Sequence, residues 1–316
     1  MTITPPEADA KLSIAAQKIN EDIKNRKYNP MNDVLFKFIF GKEERKKVTI
    51  KFLNDVLSRE GEDAIKDIQF RNSEIIPLNE EDKLTRLDIY CVTDKGEQID
   101  VEVQIVNKKN MEQRSLFYWA QMYLTTLSHG GKYQDLKPAI TINILRYNLF
   151  PEDESFHSMF SIYNMETGRR LNKDMELHFL EVPKFKKKPV KDMTSIERWL
   201  AYFSNKLDEK EMEELAMNEA AIQTALDATS IFMQNSSERL AYLNREMAII
   251  DYESDKAAWT EEGRAEGEAK ERAEGIKNLV ATVKELSADQ TQAIEQVMKR
   301  YSLPKDKAQA AVQANW

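Results

Sequence analysis

Asp88 and Glu102 lie on opposite arms of TRLDIYCVTDKGEQIDVEVQ (85–104), a stretch whose pattern folds it back on itself. Leu87, Ile89 and Cys91 alternate with Asp88, Tyr90 and Val92, while Val101, Val103 and Ile105 alternate with Glu102 and Gln104. That period of two belongs to strands with one buried face. A three-residue turn, Asp94-Lys95-Gly96 with Gly96 left-handed, pairs Thr93 with Glu97 and sets Asp88 directly opposite Glu102. A four-residue turn would face Asp88 with Val103, driving a carboxylate into the core or the valines and isoleucines out of it, so the acidic register is favoured. Two carboxylates with Cβ atoms roughly 4.5–5.5 Å apart repel each other unless positive charge lies between them. An oxygen-only pair on a sheet suits Mg2+ or Mn2+, which take one or two carboxylates and complete their shell with water and phosphate oxygens. The plain alternative is a pair of solvent-facing acids. Gln104, next on the same face, weighs against it.

An Asp on one strand followed by Glu-x-Lys or Glu-x-Gln on the next resembles the PD-(D/E)XK nucleases. The blocks NDVLFKFIFG (32–41), NSE (72–74), RLDIY, VEVQ, QRSLFYWAQMY (113–123) and INILRYNLF (142–150), in that order, resemble the recombination-promoting nucleases of that superfamily, also named transposases, over about residues 28–185. The resemblance implies an α/β, restriction-endonuclease-like sandwich with a central mixed sheet flanked by helices. It also implies a metal-dependent endonuclease that hydrolyses DNA, in recombination of mobile elements or in phage defence. The metal ligands would be Asp88, Glu102 and the main-chain carbonyl of Val103, with Gln104 where much of the superfamily has lysine. An amide can orient water and donate a hydrogen bond but carries no positive charge. Slow or metal-demanding cleavage is therefore expected, with Arg114 the first candidate for the missing charge.

Asp33 and Glu74 fall within two of these blocks and are candidate further acids; Asp33 reads equally well as a helix N-cap, and Glu74 as an exposed strand carboxylate. By the same resemblance Gln113 and Arg114, at the start of the following helix, face the site. Arg114 would take phosphate bidentately, and Tyr118, one turn later, would stack on or donate to substrate. Lys108 and Lys109, just past the strand end, are candidate phosphate contacts, although a charge pair in a loop is ordinarily only solvated. Trp119 and Tyr123 read as core.

The elements that must position these residues can be read from periodicity. Apolar residues at helical spacing predict helices over 33–40 and 46–57, separated at Gly41. Strands are expected at about 66–78, 85–93 and 97–106, a helix at about 110–128, and further strands at 139–147, 156–163 and 176–182. KFKKKPVK (184–191) closes the sheet domain, and the chain beyond it is helix-forming. The expected organisation is a polar leader over 1–27, a nuclease-like domain over 28–190, a helical region over 191–284 and a small helical hairpin over 285–316. Gly263, Gly267 and Gly275 share one helical face, which permits close helix approach at a cost of about 1 kcal/mol per glycine. They suit an oligomer contact or a soft connector, and a homodimer or higher homo-oligomer through the C-terminal helices is expected. The helical hairpin around Ser302-Leu303-Pro304 reads as an interaction tail, with a DNA-binding helix-turn-helix as the alternative.

A length of 316 residues allows about two domains. One cysteine permits no intrachain disulfide and points to a reducing compartment. The N-terminal MTITPPEADAKLSIAAQ has no apolar signal core and no run of eighteen apolar residues occurs, so a cytoplasmic protein with no membrane partner is expected. A net charge of −8 argues against a general polyanion binder, so DNA would have to meet a local basic patch. The three histidines are scattered, and there is no HExxH, no paired CxxC and no Walker A loop. Two functions of different class fit: a Mg2+- or Mn2+-dependent deoxyribonuclease, or a catalytically weak nuclease-fold protein that binds or regulates through its helical C-terminal part.

Overall fold

A computed structural model describes residues 17–19, 21–75, 85–127, 130–287 and 289–316. The chain forms two compact units, one within residues 6–250 and one over Asp251–Trp316.

After helical residues at 17–19 and 21–24, the first unit continues with helix α1 (Asp33–Phe40), which buries Leu35, Phe36, Ile39 and Phe40, and α2 (Lys46–Val56), which buries Val48, Phe52, Leu53 and Val56. Those spacings of one, three and four residues are the apolar stripes read from the sequence. Six strands form the central sheet: β1 (Ile68–Phe70), β4 (Ile89–Thr93), β5 (Gln98–Gln104), β6 (Ala139–Leu145), β7 (His157–Phe160) and β8 (Met175–Glu181), arranged β1-β4-β5-β6-β8-β7. The hairpin β4–β5 and the two edge strands pair antiparallel, whereas β5, β6 and β8 run parallel. Parallel neighbours need a crossover, and helix α3 (Met111–Thr125) supplies it between β5 and β6. The mixed α/β sandwich is the expected one.

Three strands are shorter than their periodicity suggests, the run expected over 156–163 being reduced to β7 with Tyr163 in an isolated bridge to Arg170. The run expected over 66–78 breaks into β1 and a two-residue β2 (Glu74–Ile75), which pairs with β3 (Thr85–Arg86) in a separate ladder; 76–78 lie outside the described residues. The run at 85–93 is interrupted at Leu87 and Asp88, and the interruption builds the site.

Past the linker, helices α4 (Ser195–Ser204), α5 (Glu209–Asn218) and α6 (Ala220–Gln234) do not start a new domain at 191. Trp199, Leu200, Phe203, Ile222 and Phe232 join Phe36, Phe40, Phe52 and the inner residues of β4–β6 in one core. The aromatic surface of α1 and α2 needs this cover: the Trp199 and Phe52 rings meet edge to face at 5.4 Å, and the Trp199 indole donates to Asp55 at 2.8 Å.

Helix α7 (Ser236–Leu286) runs from the first unit into the second, which is completed by α8 (Gln290–Tyr301) and α9 (Lys305–Asn315). Val280, Ala293, Val297, Ala308 and Val312 form its small core. Of the three phased glycines, Gly275 lies against Tyr301 of this same chain, whose hydroxyl occupies the place a Cβ would take, while Gly263 and Gly267 face open space. Among the described residues no helix is long and apolar enough to cross a membrane.

Candidate functional site

The turn of the β4–β5 hairpin has the predicted geometry. Gly96 is left-handed at φ 83°, the Thr93 N–H donates to the Glu97 carbonyl at 2.9 Å, and the ladder pairs Ile89 with Val101 and Tyr90 with Asp100. The same register sets Asp88 across from Glu102. Even-numbered pairs in this hairpin are the non-hydrogen-bonded ones, in which facing side chains come closest.

Here the ladder stops and side chains replace it. The Leu87 N–H, which would have served Val103, donates instead to the Ser73 carbonyl at 2.8 Å. The Val103 N–H donates to Asp88 Oδ2 at 3.0 Å, and the Asp88 N–H donates to Glu102 Oε1 at 2.9 Å. Each carboxylate is thus pinned by the other's strand. In extended chain a residue's N–H and C=O leave on the same side, so the Val103 carbonyl faces Asp88 and has lost its ladder donor. The Gln104 carbonyl, by contrast, accepts from the Arg146 N–H at 3.0 Å.

Positive charge and donors gather on the two acids. Arg114 Nη2 lies 2.7 Å from Glu102 Oε2 and the Gln104 amide donates to that oxygen at 3.1 Å. Arg114 also donates from Nε to the Tyr118 hydroxyl at 2.7 Å, with its guanidinium 5.0 Å from that ring's centre. A cation that sequence reasoning missed, Lys37 of α1, places Nζ 2.9 Å from Asp88 Oδ1. It lies in the NDVLFKFIFG block, but nothing local shows that α1 crosses the end of this hairpin.

A third acid was missed as well. Asp100 precedes Glu102 by two residues on the same face, across the parallel ladder from Thr141, as Glu102 is from Asn143. Asp100 and Glu102 are both 0% exposed. Both Asp100 carboxyl oxygens, Thr141 Oγ1 and Asn143 Oδ1 have no hydrogen-bond partner among the described residues. Burial, then the Glu102 and Asp88 carboxylates, push Asp100 well above the usual range. Burial and Asp88 likewise raise Glu102, to about 8, against the pull of Arg114. Two cations do not satisfy three acids set this close.

These observations fit a divalent cation. Every donor is an oxygen, the acids are short of positive charge, and buried oxygens stand unpartnered. Among the described residues no three His, Cys, Asp or Glu side chains converge as a ready-made ligand set. Asp88 and Glu102 are the side chains that could hold an ion, and they offer it oxygen ligands.

The remaining candidates fall elsewhere. Asp33 is not the N-cap: Asn32 takes that place, its side chain accepting from the Val34 and Leu35 N–H groups, because its backbone is the last extended one before the helix. Asp33 pairs with Arg245 at 2.7 Å instead. Glu74 sits in the small β2–β3 ladder opposite Arg86. Gln113, Lys108 and Lys109 are exposed on α3 and the loop before it. Trp119 and Tyr123, read as core, are only partly buried: they stack on each other at 5.2 Å, bond Asp174 and pack against small buried clusters. Cys91 is buried on the opposite face, and burial pushes its thiol up to about 12. A family model described as PD-(D/E)XK nuclease family transposase matches residues 30–258 of the 316. No curated protein and no solved structure matches the chain.

Proposed function

We propose, from the premise that this chain belongs to the PD-(D/E)XK nuclease family transposases, that it is an endonuclease that hydrolyses DNA phosphodiesters with a divalent metal ion. The observation that carries the reading is the facing pair Asp88 and Glu102, bound into each other's strands and still short of positive charge. Asp88, Glu102 and the Val103 carbonyl would hold Mg2+ or Mn2+. When bound, such an ion lowers the pKa of a water and offsets charge developing on the scissile phosphate.

The chain's own residues prepare that site. The Asp88 N–H, Arg114 and Gln104 hold Glu102 in one orientation, so that its carboxylate needs no reorganisation. Lys37 brings to Asp88 the charge that Gln104 cannot. Arg114, expected on phosphate, is anchored to Glu102 and Tyr118 and acts first as a positioning residue. Cutting both strands at once needs two sites, so a homo-oligomer and a role in mobile-element recombination or phage defence belong to the same proposal. The alternative, a catalytically weak binding module, draws support from Glu102, whose two oxygens already have protein partners.

Supercoiled plasmid incubated with purified protein and Mg2+, Mn2+ or Ca2+ separates the two. Nicking by wild type that disappears in Asp88→Ala and Glu102→Ala is expected. No nicking with any metal, or nicking that survives both substitutions, overturns the nuclease reading.

A further inference from the structure

Beside Asp88 an open groove of about 550 Å³ runs between α1 and the start of the sheet, lined by Lys37, Phe38, Lys42, Phe70 and Arg71. We infer that it holds one unstacked nucleotide of the strand being cut, and that the protein therefore prefers single-stranded or splayed DNA to continuous duplex. This rests on the hydrolytic reading above and adds to it the form of the substrate.

Charge argues first. Lys37 is committed to Asp88 at 2.9 Å, but Lys42 and Arg71 are exposed and form no ion pair among the described residues. Among the described residues the Arg71 side chain bonds only the Gln69 amide oxygen, at 3.3 Å. Among the described residues Glu238 is the one acid besides Asp88 on the lining. In a chain of net charge −8 this is a local positive rim that backbone phosphates can meet. Shape and apolarity argue second. Phe38 and Phe70 are half-buried, packed onto the core yet open to the groove, and the volume falls within the roughly 300–1,000 Å³ of sites for small ligands. Arg45 covers one face of the Phe38 ring at 4.3 Å, which leaves Phe70 as the aromatic residue the test addresses. A base reaches such a floor only when it is out of the duplex stack, where aromatic and apolar surface takes it up without regard to sequence. An acidic peptide would use the rim and leave the floor uncovered.

The test is fluorescence anisotropy in EDTA, where metal-dependent cleavage cannot confuse binding, with labelled dT20 and a 20-base-pair duplex as probes and the full chain as protein. Wild type is expected to bind dT20 at least about fivefold more tightly than the duplex, the scale of one stacked base. Lys42→Glu and Arg71→Glu, both on exposed side chains, should each weaken dT20 about tenfold and lower the log–log salt slope by about 0.7. Phe70→Ala should remove the preference for the single strand, and Lys210→Glu on exposed α5 should change nothing. Equal affinity for the two probes, unchanged affinity in Lys42→Glu and Arg71→Glu, or an equal loss in Lys210→Glu overturns the groove. If dT20 binds as expected but no metal supports nicking, the nuclease reading fails and the groove stands. Nicking without a single-strand preference sinks the groove and leaves the nuclease reading in place.

Discussion

Two clusters of titratable side chains share the central sheet, and they meet burial in opposite ways. Near the β7–β8 edge, His157 Nε2 and His178 Nδ1 lie 2.9 Å apart, His178 Nε2 is 3.3 Å from Glu176, and Arg170 pairs with Glu176 at 2.8 Å. Burial raises Glu176, but the His178 and Arg170 hydrogen bonds outweigh it and hold the carboxyl at about 2. Burial and the neighbouring His178 keep His157 neutral down to about 4. That cluster balances its own charge. At the end of β4 and β5, burial and mutual repulsion raise Asp100 and Glu102 although Lys37 and Arg114 sit beside them. A self-balanced cluster is structural. One left short of charge is built for a ligand that brings it.

If that contrast is sound, removing one acid from the unbalanced cluster should stabilise the fold while stopping the chemistry. Glu102→Gln is expected to lose about 10²–10³ in cleavage rate, the scale of one preorganised electrostatic contact. Its melting temperature without metal should rise, because a buried carboxylate repelled by Asp88 is gone. A lower metal-free melting temperature in a thermal scan would break the comparison.

Lys37→Met has the next largest effect. The pair it forms with Asp88 is 38% exposed on the lysine side, so stability should change by less than about 1 kcal/mol, while cleavage at saturating Mg2+ falls more than about tenfold. Equal losses in both measurements would make Lys37 a structural residue only.

The smallest effect belongs to the balanced cluster. His157 has a pKa depressed from 6.5 to about 4, so its neutral form contributes stability above 6.5 that is lost as pH falls toward 4. Because the ring is partly exposed, the loss should be no more than about 2 kcal/mol. Urea unfolding across that window should show the decline in wild type and a flatter profile in His157→Gln, with nicking at neutral pH unaltered. A decline of the same size in the variant would show that His157 is not its source.

The hairpin was determined by the sequence itself. Alternation assigns each side chain to a face, Gly96 admits one turn, and a slip by one residue would invert every face, so Asp88 opposite Glu102 follows from a stretch of about twenty residues. Gln104 could be placed beside it because it is next on the same strand face, whereas Arg114 was expected there only through the family resemblance. What only the tertiary structure decided lies far apart along the chain. Lys37 reaches Asp88 because α1 packs across the hairpin's end, and Asp33 turns away to Arg245 because Asn32 caps the helix. The helices after residue 191 fold into the first unit because the aromatic faces of α1 and α2 need cover. Asp100 reads as one more polar residue in an alternating strand until the fold buries it beside β6 with no hydrogen-bond partner among the described residues. Periodicity and turn chemistry report the faces of an element. Which charge meets which across the fold depends on packing of surfaces that sequence distance does not encode.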